Sequence, residues 1–250
     1  MGESGENSNH WYYEVFKLLE ENNIGWNFWT HKKVEKISSP YSAVVSPFYQ
    51  TLIDYWSGDG SQPSALYAEA ALMSFANSLK IENCIQLPGV IASLTDPEYG
   101  QISKPYRPHS IPGIISAAEY DIGARGRSYH DSDYYNNGDG TYNEGWTFRN
   151  DGVDIQQNQN TDGFPFNIGW TDIGEWIGYT INDVVAGTYN IKVRVASTSQ
   201  NGSFISRLNG DNLGIVNVPN TGGWHNWQDV EISNIAIDGV QQFFKIQIIQ

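Results

Sequence analysis

Glu3 stands between small residues in Gly2-Glu3-Ser4-Gly5, ahead of Glu6-Asn7. At the tip of a strand, such a carboxylate can act as a nucleophile or a general base if a second acid faces it. The plainer alternative is an ordinary exposed acid near a chain terminus. Indole is the second chemistry-bearing group. Trp26 and Trp29 lie in the apolar run Ile24-Gly25-Trp26-Asn27-Phe28-Trp29, Trp170 and Trp176 flank Thr171-Asp172-Ile173-Gly174-Glu175, and Trp224 and Trp227 flank His225-Asn226. An indole has a flat apolar face and a polar edge, so it either packs in a core or serves as a stacking platform. The histidines His10, His31, His109, His130 and His225 are scattered, with no pair at metal-ligand spacing on a helix, so no zinc site is expected.

These side chains need elements to hold them. Residues 8–22 read as a helix: Ser8 or Asn9 can cap it, and Trp11, Val15, Leu18 and Leu19 recur at helical spacing. Asn22-Asn23 ends it, and Ile24–Trp29 predicts a short buried parallel strand. Phe48–Trp56 carries a second helical stripe through Phe48, Leu52 and Tyr55. Ser64–Ile81 is an alanine-rich helix with Leu66, Ala70, Met73 and Leu79 on or near one face. An acid at a strand tip, a helix, then a strand ending in tryptophans is the order in which a (β/α)8 barrel presents a carboxylate. Asp96-Pro97, Lys104-Pro105 and Arg107-Pro108 place a linker at 95–110.

From Ile111 the pattern is β. Thr188–Val195 alternates, with Tyr189, Ile191, Val193 and Val195 on one side, and Phe244, Ile246 and Ile248 alternate with Lys245 and Gln247. Asn136–Gly140, Asn209-Gly210-Asp211 and Thr221-Gly222-Gly223 punctuate the strands, which predicts a β-sandwich or jelly roll. The fold class is therefore α/β plus all-β: a partial (β/α)8 barrel over 1–94, a linker over 95–110, and a sandwich over 111–250 whose last strand is expected beyond Gln250.

The chain of 250 residues has 14 basic against 28 acidic residues, a net charge of −14. That balance argues against nucleic acid and anionic membranes as partners. No run reaches the roughly 18–20 apolar residues of a membrane span. No basic-then-apolar leader opens the chain, so a secreted parent would carry its leader upstream. The lone Cys84 allows no internal disulfide. With 9 Trp, 15 Tyr and 10 Phe, the aromatic load suits either a core or sugar stacking.

Gly2-Glu3-Ser4-Gly5-Glu6-Asn7-Ser8-Asn9, Leu18–Thr30 and Lys32-Lys33 resemble the C-terminal part of glycoside hydrolase family 5 catalytic domains. The resemblance implies Glu3 as the nucleophile at the tip of the seventh barrel strand. It implies Trp29 as the platform beneath the sugar, with Trp26 the core-facing alternative, and Lys32 as a contact to sugar hydroxyls. A retaining glycosidase needs a second carboxyl about 5–5.5 Å away. In that family the second acid lies on the fourth strand, upstream of this sequence, so no hydrolysis by this polypeptide alone is expected. Residues 1–90 are expected to expose apolar faces.

Residues 111–250 resemble carbohydrate-binding module family 6. The segments that carry this are Ile111–Asp121, Tyr129-His130-Asp131, Asp151–Ile155, Asn167–Tyr179, Ala186–Tyr189, Arg194–Ser197 and Val218–Trp227, in order. The resemblance implies a cleft that holds a sugar between Trp170 and Trp224, with Asp131 as a polar contact and Trp176 and Trp227 in the core. It also implies an asparagine after the last visible strand. No cofactor is required. A structural calcium is the one metal the resemblance suggests, at Glu119, although the family shows Ala-Glu where this chain has Ala117-Ala118-Glu119.

Three readings follow. The first is a piece of a secreted β-glycanase, retaining in mechanism, whose sandwich holds it on a β-glucan, cellulose or xylan class of polysaccharide as a monomer. The second is a stand-alone, non-catalytic polysaccharide-binding protein. The third is an adhesion or structural sandwich.

Overall fold

The computed structural model describes residues 4–132, 134, 147–159 and 163–250. The helices begin where serine can cap them. Ser8 precedes α1 (Asn9–Glu21), Ser46 precedes α2 (Pro47–Ser57) and Ser64 precedes α3 (Ala65–Ser78), each accepting a backbone N–H of the first turn. Each such cap is worth about 1 kcal/mol. Gly58, at φ 88°, ends α2 in the left-handed region where glycine has no steric penalty. The fourth helix, α4 (Pro88–Thr95), begins on proline. Tyr12 and Phe16 of α1 are buried with Val90 of α4 among Trp26 and Phe28, and the Phe16 and Trp26 rings lie 4.1 Å apart.

Strands β1 (Lys32–Val34) and β2 (Tyr41–Ala43) are parallel, and β3 (Ile85–Gln86) joins β2 antiparallel. A barrel sheet is parallel throughout, so this three-stranded mixed sheet does not itself form the expected partial (β/α)8 barrel. The expected strand over Ile24–Trp29 is absent. Among the described residues, the Trp29 N–H donates to the Ser4 carbonyl at 2.7 Å, and one bond is not a ladder. The face of α3 also differs from expectation. Leu66 and Met73 are exposed, while Phe75 stacks on Tyr49 of α2 at 4.1 Å and Tyr67 meets Phe48 edge-on. The aromatic pairs decide which face turns inward, because they bury more area than the alanine-rich stripe.

Residues 95–110, expected as a linker, are packed. Tyr99 is buried and its carbonyl accepts the Ala124 N–H at 3.0 Å. Lys104 exchanges backbone bonds with Ile122 at 3.0 and 2.7 Å, and the Ser103 hydroxyl donates to Asp121 at 2.7 Å. Residues 97–101 form turns after α4, and Lys104, held extended by the following proline, makes an isolated antiparallel bridge with Ile122.

The remainder is a β-sandwich. Its short strands are β4 (Ser110–Ile111), β5 (Tyr129–His130), β6 (Ile155–Gln157), β7 (Phe166–Ile168) and β9 (Asp183–Val184). Its longer strands are β8 (Trp176–Ile181), β10 (Gly187–Val195), β11 (Ser203–Leu208), β12 (Asp211–Asn217), β13 (Gln228–Ile237) and β14 (Gln242–Ile248). The main sheet has five strands in the order β12-β11-β14-β8-β5, and β10–β13, β6–β7 and β4–β9 pair separately. Alternation places Ile177 and Tyr179 of β8 opposite Ile246 and Phe244 of β14. These four meet Tyr120, Tyr129, Val153, Ile155 and Ile168 in or around the core.

Candidate functional site

The strand registers bring several connections to one end of the sandwich. β14 ends at Ile248, which donates to the Glu175 carbonyl at 2.9 Å and accepts from the Gly174 N–H at 3.0 Å, just before β8 begins. On its other side Ile248 stands opposite Phe204, near the start of β11. Ser203 faces Asn217, the end of β12. Val195, the end of β10, faces Gln228, the start of β13. Segments 169–175, 196–202 and 218–227 therefore emerge together. The last two are joined directly, since Ser197 and Thr221 exchange bonds at 2.9 Å through Thr221 N–H to the Ser197 carbonyl and Ser197 N–H to Thr221 Oγ1. At the usual strand spacing, β12 to β8 is about 14 Å.

Each of the outer segments presents an indole. Trp170 is 48 % exposed and Trp224 is 64 % exposed. Trp170 sits at φ 46°, a left-handed conformation that a bulky residue rarely adopts. Its neighbour Gly169 donates to the Asp154 carbonyl at 3.0 Å, which fixes the start of the turn. The Trp224 turn is held by buried Thr221 and by the Gly222 N–H donating to Asn220 Oδ1 at 2.8 Å. Each tryptophan is a solvent-facing indole on a hydrogen-bonded turn, an apolar face with a polar edge that suits stacking.

The other expected residues are placed differently. Asp131 is only 3 % exposed. It lines a cavity of about 50 Å³ with Gly169, Thr171 and Glu175, a space for water and not for a sugar ring. Trp176, expected in the core, is half-buried on the outer face of the sheet, because it shares the parity of Gly178 and Thr180 while Ile177 and Tyr179 turn inward. The Lys245 ammonium stands 3.9 Å from its ring centroid, and burial, followed by the Arg207 charge, lowers the pKa of that lysine. The period-two parity could have placed Trp176 outside; the Gly-Glu-Trp motif alone could not. Trp227 is also half-buried, and its indole N–H donates to Asn158 Oδ1 at 3.3 Å, propping the β6–β7 hairpin.

Glu3 lies outside the described residues. Trp29 is 54 % exposed, and the peptide joining it to Thr30 is cis. The Lys32 ammonium donates to the Leu79 carbonyl at the C-terminal end of α3, where a cation meets the negative end of the helix dipole. The Glu119 carboxylate pairs with Arg107 at 3.1 Å. No group of three His, Cys, Asp or Glu side chains gathers to hold a metal among the described residues. Among the described residues Glu119 is thus a single carboxylate already paired with a guanidinium.

Residues 144–244 match the family described as carbohydrate binding module (family 6). This segment is a family 6 carbohydrate-binding module. Trp170 and Trp224 lie inside the matched span; Glu3, Trp29, Lys32, Glu119 and Asp131 lie outside it. Among solved structures, the module is similar to one from Cellvibrio mixtus lichenase 5A, described in complex with cellotriose, at 28 % identity over 38 % of this chain and 76 % of that one, TM-score 0.34. It is similar to a β-1,3-glucan-binding module from Bacillus halodurans at 31 % identity, over 39 % of this chain and 74 % of that one, TM-score 0.34. It is also similar to the C-terminal family 6 module of LamC, a laminarinase from Zobellia galactanivorans, at 35 % identity over 38 % of this chain and 85 % of that one, TM-score 0.31. Carbohydrate binding is the function of this module by its family.

Proposed function

We propose that the module binds a polysaccharide at its loop end, with Trp170 and Trp224 stacking on the C–H faces of pyranose rings. The observation that carries this is the exposure of both indoles on anchored turns at one end of the sandwich, inside the family match. The ligand class is a β-glucan, cellulose or xylan. The test is retardation in a native gel containing β-glucan or xylan. Retardation that disappears in both Trp224→Ala and Trp170→Ala supports the reading. Retardation unchanged by both overturns the site and favours an adhesive or structural sandwich.

We further propose that the chain is part of a modular retaining glycoside hydrolase acting outside the cell, with Glu3 as its nucleophile and Trp29 beneath the sugar. Support comes from the approach of Ser4 and Gly5 to Trp29. The Ser4 carbonyl takes the Trp29 N–H at 2.7 Å, and a Cβ on Gly5 would stand 1.9 Å from the Trp29 carbonyl oxygen. The residue after Glu3 thus lies against the tryptophan that would bind the sugar. Lys32 is assigned to capping α3, not to sugar contact. The polypeptide alone is expected to release no reducing sugar from β-glucan. Joined to an upstream barrel that supplies the acid/base, it is expected to do so, and Glu3→Gln is expected to abolish that activity. The alternative, a stand-alone binding protein, predicts no activity in either form.

A further inference from the structure

Residues before the sandwich meet it across a buried polar seam. Asn9, the first residue of α1, donates its backbone N–H to the Asn150 carbonyl and its side-chain amide to Asp151 Oδ1, both at 2.7 Å. The Asn150 amide donates to the Asn7 carbonyl at 2.8 Å and to Asn9 Oδ1 at 2.9 Å. Ser8, Asn9, Asn150 and Asp151 are all buried. The second Asp151 oxygen is held by Arg149 at 2.7 Å and by the Tyr120 hydroxyl at 3.1 Å, and the guanidinium lies 3.7 Å from the Tyr120 ring centroid. On the helical side, a Cβ on Gly89, in the first turn of α4, would come 2.7 Å from the Asn9 amide nitrogen and 3.7 Å from Asp151 Oδ1. The Asp151 charge therefore meets Arg149 on the sandwich side and the N-terminal ends of α1 and α4 on the other, where anions are favoured.

We propose that this seam makes the N-terminal segment a permanent intrachain partner of the sandwich. The segment carrying Trp29 is then held at one fixed orientation to the loop end carrying Trp170 and Trp224, so the module acts as a fixed guide for the polymer and not as an anchor on a tether. The guiding role rests on the polysaccharide reading; the interface does not. Two physical facts favour permanence. Opening the seam would exchange four bonds of Asn9 and Asn150, made where water is excluded and each bond is stronger, for bonds to water. The connecting residues 95–110 are themselves paired to the sandwich through Tyr99, Ser103 and Lys104, so there is no slack to swing on.

The test is native-state chymotrypsin digestion and thermal unfolding of the full chain, wild type beside Asn9→Asp. That substitution sets a second carboxylate against Asp151. Tyr99 and Tyr106 are the reporting cleavage sites. The expected result is one unfolding transition, no cleavage at Tyr99 or Tyr106 in the native wild type, and a midpoint lower by roughly 10 °C with cleavage at those sites in the variant. Cleavage of the native wild type at Tyr99 or Tyr106 at the rate of the unfolded chain overturns the proposal. So do two transitions with neither moved by Asn9→Asp. If the variant does not fold, the wild-type digestion and melt decide alone. Gel retardation is scored separately: its absence from a wild type that digests and melts as expected overturns the guiding role and leaves the interface.

Discussion

The Glu175 carboxylate holds Ser132 by two bonds, from the Ser132 N–H at 2.9 Å and its hydroxyl at 2.7 Å. Its other oxygen accepts the Asp172 N–H at 2.9 Å. A nearly buried acid thus ties the Trp170 turn to the segment that follows β5. Glu175→Ala removes the acceptor of two backbone donors on residues that water reaches, and is expected to cost about 1 kcal/mol in urea denaturation. Because the turn that presents Trp170 loses its anchor, polysaccharide retention should fall with it. Glu175→Gln keeps one acceptor and should fall between the two.

Trp224 is the more exposed indole, so its removal separates binding from folding. Trp224→Ala is expected to change stability by less than about 1 kcal/mol. Its effect on binding should be at least tenfold, the loss typical of a tryptophan at the centre of a binding surface. Isothermal titration with a soluble oligosaccharide, beside a urea melt, checks both halves.

Trp170 should show the opposite coupling. At φ 46° its backbone is in a region that costs a non-glycine residue about 1–2 kcal/mol. Trp170→Gly is expected to match or exceed the wild type in stability while losing retention on β-glucan. A Trp170→Gly protein that is both less stable and fully retained would sink the idea that strain is kept there for binding.

Alkaline pH should unfold the chain through its tyrosines. Burial raises the Tyr12 pKa from 10.0 to about 12 and raises Tyr99, Tyr120, Tyr129 and Tyr179 as well. The folded pKa lies above the unfolded value. Stability is therefore fully present below pH 10 and declines as pH rises toward 12, where the unfolded chain releases protons that the folded chain keeps. Tyr12 alone accounts for about 3 kcal/mol of that loss. Tyrosine absorbance near 295 nm, followed against pH, should show an early exposed class and a late class that ionises only as circular dichroism collapses.

Lys32 offers a control on the N-terminal segment. Its ammonium donates to the Leu79 carbonyl at the end of α3. Lys32→Met should cost about 0.3–1 kcal/mol of stability, and polysaccharide retention should be unchanged. A drop in retention with stability intact would return Lys32 to the sugar site.

What the sequence determined by itself was local or periodic. Serines at 8, 46 and 64 start helices through their own hydroxyls, and Gly58 ends one through its backbone freedom, so these boundaries need no distant partner. The alternation of Tyr189, Ile191, Val193 and Val195 is likewise carried by the strand period, and the ordered segments around Trp170 and Trp224 carried the module. Tertiary structure alone decided the rest. Trp176 and Trp227, expected in the core, are both half-buried, the first beside the Lys245 ammonium and the second against Asn158. Asp131 reads as a polar contact until the packing of Gly169, Thr171 and Glu175 around it shows it buried. Residues 95–110 read as a linker, because X-Pro steps encode an extended chain but not what it lies against. The Asn9–Asp151 bond joins positions 142 residues apart. Neither residue type announces it, since a buried amide–carboxylate pair exists only once α1, α4 and the sandwich have excluded the water that would otherwise satisfy both.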